Sequence, residues 1–446
     1  MFIENLVAYI FAGIIGLILL LLIFKQPYLG VAFSIAILPI IDIFSSIPLF
    51  SSISLPIGLA TLAAYLFRSK RLEKKGKRRM EAVYLLALVF IFWVVVSNPE
   101  AAILGEDRFW IFTFAQLWIL MFLSGELLDT PQKQKTTMLM FALAAAVSAI
   151  FAITQGEIAE TATTSVRVSG LATNANQAAR YFVIALVFFY YLRSKAETRL
   201  LKFFYLVGIL TTFFGVFFTV SRSGMLLLFG ALGLILIFQP RAKNKVGLIF
   251  LTLVALIVLS FFAESIFRII GDIFPAIEEG SDTVGLRYNL WRAGWDMWLD
   301  NPLTGVGIGQ YNYLLRRYMI GFEGPTVGFA SPHNTYVHVL SETGFIGFVL
   351  FMAMLIRALQ NLWPSRSANS AEFGNLRDAW FIILLVISVG GITITDLGNK
   401  IFWMVLGVSA IFANKEPVKS KESSRQAIAK TSATSIRMRR WMKNIK

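Results

Sequence analysis

Residues Leu6–Phe24 read LVAYIFAGIIGLILLLLIF, a run of 19 residues without a charge. A helix rises about 1.5 Å per residue, so such a run can cross roughly 30 Å of hydrocarbon. Similar apolar runs recur along all 446 residues, of which 57% are hydrophobic and 15% charged. Inside a bilayer the backbone must satisfy its own hydrogen bonds. The sequence therefore predicts an all-α polytopic membrane protein.

Hydropathy predicts 12 or 13 transmembrane helices in a single multi-spanning domain, residues 1–413. The segment Ile47–Leu55 is ambiguous, and this leaves the side of the N-terminus open. The first residues, MFIENLVAYIF, lack a basic segment, which favours a first membrane helix over a cleaved signal. The predicted spans are 6–24, 27–47, 52–68, 80–97, 109–124, 137–155, 177–193, 203–220, 225–239, 246–263, 336–358, 380–396 and 400–413.

The distribution of charge predicts the orientation. The net charge is +15; residues 68–79 hold eight Lys or Arg, and the segment after Asn414 holds ten. Basic loops mark the cytoplasmic side and attract anionic lipid, so they indicate topology and membrane lipids rather than nucleic acid. We expect 414–446 to be a basic, disordered cytoplasmic tail. The loop 264–335, with eight acidic and five basic residues, is predicted to be one long periplasmic loop.

One helix is predicted inside this long loop, over residues 285–300. Arg287, Trp291, Trp295 and Trp298 fall on one helical stripe, with charged residues on another face. Such a helix is expected to lie in the membrane interface. The following Asn301-Pro302 would end it.

Both histidines of the chain, His333 and His338, lie in SPHNTYVHVLSETGFIG (331–347), where the loop meets an apolar helix. We expect Ser331 to cap this helix and Pro332 to occupy its first position. His333 would then lie in the first turn, where the helix dipole keeps the imidazole neutral and able to act as a general base. The alternative is a polar residue that hydrogen-bonds to backbone at the start of the helix.

The residues after His333 are given structural roles. His338 is spaced to pair with Glu342 one turn later, inside the bundle. Gly344 and Gly347 are expected to let a neighbouring helix approach closely.

Four arginines are predicted on the outer face, where the positive-inside rule makes them unexpected. Arg222 lies in a short turn, Arg287 opens the aromatic helix, and Arg167 and Arg180 bracket the loop RVSGLATNANQAAR. The planar guanidinium fork suits phosphate. For Arg180 the alternative is snorkelling to the interface. The chain has no cysteine and no Asp-x-Asp or His-x-x-x-His motif, so no metal or cofactor is predicted.

Several motifs resemble the O-antigen ligase family. The first motif is His333-Asn334, followed after nine residues by Gly344-x-x-Gly347, and the second is the turn Ser221-Arg222-Ser223-Gly224. The third is Arg287-x-x-x-Trp291 with the run from Asn301-Pro302 to Gly309. The fourth is Gly170 followed by Asn174-Ala-Asn176. The motifs span roughly residues 165–350. The inserted serine in the Ser-Arg turn departs from the family pattern.

The resemblance implies a type-C-like glycosyltransferase that is metal-independent and inverting. Such enzymes lie in the bacterial inner membrane, with the active face periplasmic, and take the donor glycan from undecaprenyl diphosphate. Carried over to this chain, His333 is the base and Arg222 and Arg287 bind the diphosphate. Supporting roles fall to Asn334, Arg167, Asn174, Asn176 and His338.

The resemblance leaves the acceptor open. A ligase transfers the glycan to lipid A–core, and a polymerase transfers it to another lipid-linked glycan. One long outer loop rather than two favours the ligase, with a protein acceptor as a further option. A lipid-linked glycan transporter is the rival from another class, although the charges cluster at the outer boundary rather than at mid-membrane. A non-catalytic scaffold is the remaining alternative.

Overall fold

The computed structural model describes residues 2–45, 54–69, 80–98, 107–159, 168–238, 283–319, 331–364 and 371–413. These residues form fifteen α-helices and contain no strand. The helices are α1 (Phe2–Lys25), α2 (Tyr28–Ala36), α3 (Asp42–Ser45), α4 (Ser54–Ser69), α5 (Ala82–Ser97), α6 (Asp107–Leu127), α7 (Pro131–Ala159), α8 (Ala175–Lys195), α9 (Arg199–Phe218), α10 (Arg222–Phe238), α11 (Thr283–Asp300), α12 (Tyr311–Tyr318), α13 (Thr335–Leu362), α14 (Ala371–Gly390) and α15 (Lys400–Ala413).

The predicted fold class is confirmed. Four helices of the described residues are long and apolar enough to cross a membrane, namely those in α6, α7, α9 and α13. Six further apolar helices are shorter, among them α5, α10 and α15. Large aliphatic and aromatic side chains such as Phe67, Leu200 and Phe203 are exposed on the outside of the bundle, as expected where the solvent is lipid. The chain is therefore an all-α polytopic membrane protein.

Two predicted spans differ from the structure. The span 27–47 is broken into α2, a 3₁₀ turn at Leu38–Ile40 and α3, because Pro39 cannot donate a helical hydrogen bond. The span 380–396 ends as helix at Gly390, and residues 391–399 form a loop. The predicted span 246–263 and the predicted tail 414–446 lie outside the described residues.

Helix α8 lies at the centre of the bundle. Fifteen of its 21 residues are buried, and it packs against α7, α9, α10 and α14. Asn174 caps its N-terminus by accepting a hydrogen bond from the backbone of Gln177 at 2.9 Å. The segment before α8 is tied to α7, because Leu171 N donates to Ser148 Oγ at 3.0 Å.

A kink in α13 holds the loop that follows α11, residues 301–310. Gly344 has φ 65° and ψ −172°, which interrupts the helix. Phe345 N donates to Pro302 O at 2.8 Å, and Thr343 O accepts from Trp93 Nε1 at 2.8 Å. The backbone groups freed by the kink are therefore satisfied from outside the helix. Gly344 was expected to admit a neighbouring helix; instead the loop backbone at Leu303 packs on it.

Gly347 lies on the other side of this kink. A methyl group there would come 3.1 Å from Trp93 Cδ1 on α5, besides overlapping Thr343 in its own helix. Gly347 therefore lies at a contact between α13 and α5, and Gly344 lies at a contact between α13 and a loop.

Replacing Gly344 with Ala should destabilise the protein. The left-handed φ disfavours any residue with a Cβ, and the added methyl would overlap the carbonyl of Leu303. We expect a cost of roughly 1–3 kcal/mol, seen as a lower melting temperature of the purified protein in detergent. Gly16→Ala is the matched control, because Gly16 has open space around it. Equal melting of both variants would contradict the proposed role of the kink.

Candidate active site at the start of α13

His333 precedes α13 in a left-handed backbone conformation. Its φ is 46°, and among the described residues only Val220, at 48°, is another non-glycine with positive φ. The helix begins at Thr335 and is capped by Asn334, whose side chain accepts from the backbone of Tyr336 and Val337. The predictions that Ser331 caps the helix and that His333 lies in its first turn are therefore wrong. Backbone strain of this kind is concentrated at functional sites.

Helix α11 fixes the segment before His333. Trp291 Nε1 donates to Pro332 O at 2.8 Å. A methyl group on Gly294 would lie only 2.6 Å from Val337, so α11 packs closely on the first turn of α13. The predicted helix in the outer loop is thus present, and one of its tryptophans positions the residue next to His333. The face of α11 opposite its buried residues Leu290, Ala293 and Met297 is exposed, and it carries Tyr288, Trp295 and Leu299.

The environment of His333 favours a neutral imidazole. The side chain is exposed, and it makes no hydrogen bond with a described residue. Nearby protein still desolvates the ring enough to lower the pKa of His333, and the charge of Arg287 lowers it further. A lowered pKa is the direction predicted from the sequence, but its causes are desolvation and the charge of Arg287, and not a position in the first turn of the helix.

Arg222 lies at the start of α10, two residues after the second strained residue, Val220. Ser221 Oγ donates to Asn176 Oδ1 at 2.8 Å, which joins this turn to the first turn of α8. The guanidinium of Arg222 is exposed and makes no hydrogen bond or ion pair with a described residue. Two motifs that are 45 residues apart in sequence are therefore in direct contact.

Arg180 is not on the outer surface. It is completely buried and forms an ion pair with Asp396, in the loop between α14 and α15. The interpretation of Arg180 as an outward-facing or snorkelling residue is therefore wrong. A buried charge is tolerated where it is paired, and the partner lies 216 residues away in the sequence.

The Arg180–Asp396 pair connects α8 to the start of α13. Asp396 N donates to Thr335 Oγ1 at 2.9 Å, and Thr335 N donates to Gly391 O at 2.7 Å. Thr335 is two residues after His333, so the pair holds the loop that anchors the candidate base. Sequence reasoning missed Asp396 and Thr335, because their partners are distant along the chain.

His338 belongs to a buried cluster behind the site. Its Nε2 lies 3.0 Å from Glu342 Oε2, as the spacing predicts. Glu342 Oε1 accepts from the backbone of Tyr311 at 3.0 Å, and the rings of Tyr311 and Trp110 lie 6.3 and 6.2 Å from the His338 ring. His338 therefore helps to join α13 to α12 and α6. Arg167 lies outside the described residues, and no three His, Cys, Asp or Glu of the described ranges could hold a metal together.

Comparison with known proteins agrees with the motifs. Residues 207–352, which include Arg222, Arg287 and His333, match the family described as O-antigen ligase. The teichuronic acid biosynthesis protein TuaE of Bacillus subtilis (strain 168) is 23% identical over 252 residues, 53% of this chain and 50% of that protein. The chain thus spans about half the length of this relative. These matches confirm the resemblance and support a membrane enzyme of polysaccharide biosynthesis.

Proposed function

We propose that this chain, whose residues 207–352 match the O-antigen ligase family, transfers a glycan from undecaprenyl diphosphate to an acceptor hydroxyl. The observation that carries the proposal is the exposed His333 beside the charge of Arg287, with a lowered pKa and a strained backbone. A neutral imidazole at the end of a bundle can take the proton of a hydroxyl that approaches from water. The proposed location is the periplasmic face of the bacterial inner membrane, with the C-terminus in the cytoplasm.

The proposed reaction is a single displacement at the anomeric carbon that uses no metal ion. His333 removes the proton of the acceptor hydroxyl as its oxygen bonds to the anomeric carbon. The bond from that carbon to the phosphate oxygen breaks on the opposite face, so the configuration inverts. The electron pair leaves with undecaprenyl diphosphate, whose charge Arg222 and Arg287 stabilise through their planar donors.

Lipid A–core is the first candidate acceptor, which makes the protein a ligase. A polymerase that uses a lipid-linked glycan acceptor is the second candidate. One observation favours it: the relative TuaE is named for the biosynthesis of teichuronic acid and not for ligation. Supplying the purified protein with each acceptor in turn distinguishes the ligase from the polymerase, because only the true acceptor gains the glycan.

The enzyme proposal is tested by incubating the purified full-length protein with a lipid-linked sugar and each acceptor. Release of undecaprenyl diphosphate together with a new glycan product supports a transferase. Movement of the lipid-linked sugar across a vesicle without cleavage would instead support the transporter alternative.

Arg222→Lys and Arg287→Lys should each impair transfer, because an ammonium keeps the charge but loses the fork of donors. We expect roughly a 10- to 100-fold lower kcat/KM, the ratio for losing one hydrogen bond to a charged group. Arg292→Lys is the matched control, since Arg292 is exposed on the same helix as Arg287. Full activity in both Lys variants would rule out bidentate diphosphate binding.

A further inference from the structure

An apolar groove lies between α2, α4, α6 and the start of α15, away from His333 itself. The groove is open on one side, and about 690 Å³ of empty space lies within it and at its mouth. Leu59 of α4 and Leu117 and Leu120 of α6 are among the apolar residues in its walls. Leu55 and Leu59 also have 40% and 57% of their surface exposed, so the groove borders the lipid-facing side of the bundle.

One end of the groove is polar. Lys400, Thr113 and Gln116 line it together. Lys400 is half-buried and makes no hydrogen bond or ion pair with any residue that the structure describes. A cation that borders hydrocarbon without a partner is costly, so the groove offers an unmatched positive charge to whatever occupies it.

The polar end is at the same end of the bundle as the candidate active site. A methyl group on Gly398, two residues before Lys400, would lie 3.6 Å from the Trp110 ring. Trp110 in turn contacts His338, one turn into α13. Further along, Gly407 of α15 packs on Met121 of α6, so these two helices run parallel.

The length of the groove matches one leaflet. The lining residues of α6 run from Thr113 to Leu123, which at 1.5 Å per residue is about 15 Å. This is half of the roughly 30 Å hydrocarbon thickness of a bilayer. A chain that starts at Lys400 would therefore end near the middle of the membrane.

We propose that this groove binds one hydrocarbon chain of an anionic phospholipid, with the lipid phosphate at Lys400. The apolar walls take the chain, the leaflet-length groove sets its depth, and the unpaired ammonium selects a negative headgroup. The site has its own cation and does not use Arg222 or Arg287. The binding requires no transferase activity, so a failed transferase assay leaves it standing.

Two variants test the two halves of the site. Lys400→Gln removes the charge. Gly58→Leu fills the groove, because Gly58 lines it and a Cβ added there meets no atom within 4 Å. The matched controls are Lys202→Gln, at an exposed position of α9, and Gly233→Leu, at another open glycine.

The measurement is native mass spectrometry of the full-length protein in detergent, titrated with dioleoyl phosphatidylglycerol or dioleoyl phosphatidylcholine. We expect the wild type to retain phosphatidylglycerol preferentially. Lys400→Gln should weaken that binding roughly fivefold, the ratio that corresponds to about 1 kcal/mol for one cation at an anionic lipid surface. Gly58→Leu should reduce the binding of both lipids, and the two controls should bind as the wild type does.

Four results would overturn the proposal. Equal binding of the two lipids to the wild type would show that Lys400 does not select an anionic headgroup. Unchanged binding by Gly58→Leu would show that the lipid chain does not bind in the groove. If inorganic phosphate displaces the lipid at equal concentration, the site binds an anion and the hydrocarbon chain contributes nothing to the binding. Undecaprenyl phosphate that displaces phosphatidylglycerol at substoichiometric amounts would assign the groove to a polyprenyl lipid instead.

Discussion

His333→Ala should abolish glycan transfer and leave the fold intact. Losing a general base lowers the rate of a reaction by roughly 10²–10⁴-fold. The side chain is exposed and makes no hydrogen bond with a described residue, so little folding energy depends on it. The measurement pairs the turnover of a lipid-linked sugar with the melting temperature of the same preparation.

A second variant separates the imidazole from the backbone. Asn tolerates a positive φ better than Ala does, so His333→Asn keeps the left-handed turn at 46° and removes the base. Its transfer rate should be as low as that of His333→Ala. His338→Ala is the contrasting control: it should lower the melting temperature, because His338 is buried against Glu342. Transfer at the wild-type rate by His333→Asn would eliminate the imidazole as the base.

The parts of the fold that hydropathy could predict are those whose cause is local. An uncharged run long enough to span a bilayer specifies a helix by itself, and α1, α5 and α15 start and end within a few residues of the predicted limits. The His338–Glu342 pair is equally local, since residues four apart share a helical face. Helix α12 was missed even though Tyr311, Leu314, Leu315 and Tyr318 follow a helical period.

The details of the site depend on tertiary contacts, and the sequence could not supply them. Ser331 and Asn334 are both good capping residues, and the choice between them follows from the anchoring of Pro332 by Trp291 and of Thr335 by the loop at Gly391. The kink at Gly344 exists because a loop docks there. The identity of the candidate residues came from the motifs, whereas their placement came from packing.

The largest effect on stability is expected at the buried pair of Arg180 and Asp396. Arg180→Met would leave the carboxylate of Asp396 buried without its cation, and Asp396→Leu would leave the guanidinium of Arg180 in the core. Breaking a buried pair by removing one partner costs about 3–5 kcal/mol. Each single variant should therefore melt well below the wild type in detergent. The neighbouring Tyr181 offers Arg180 a hydroxyl rather than a carboxylate, so it does not replace the lost ion pair.

The double variant Arg180→Met/Asp396→Leu shows whether the single variants lose stability through an unpaired buried charge or through altered packing. Removing both charges avoids the uncompensated ion, and replacing a buried pair by apolar residues is often neutral. We expect the double variant to be more stable than either single variant. A further outcome is a double variant that melts at the wild-type temperature and still transfers glycan more slowly. That result would show that the pair positions Thr335 and, through Thr335, His333, in addition to stabilising the fold. A double variant less stable than both single variants would show that packing around the two side chains, and not their charge, supports this end of the bundle.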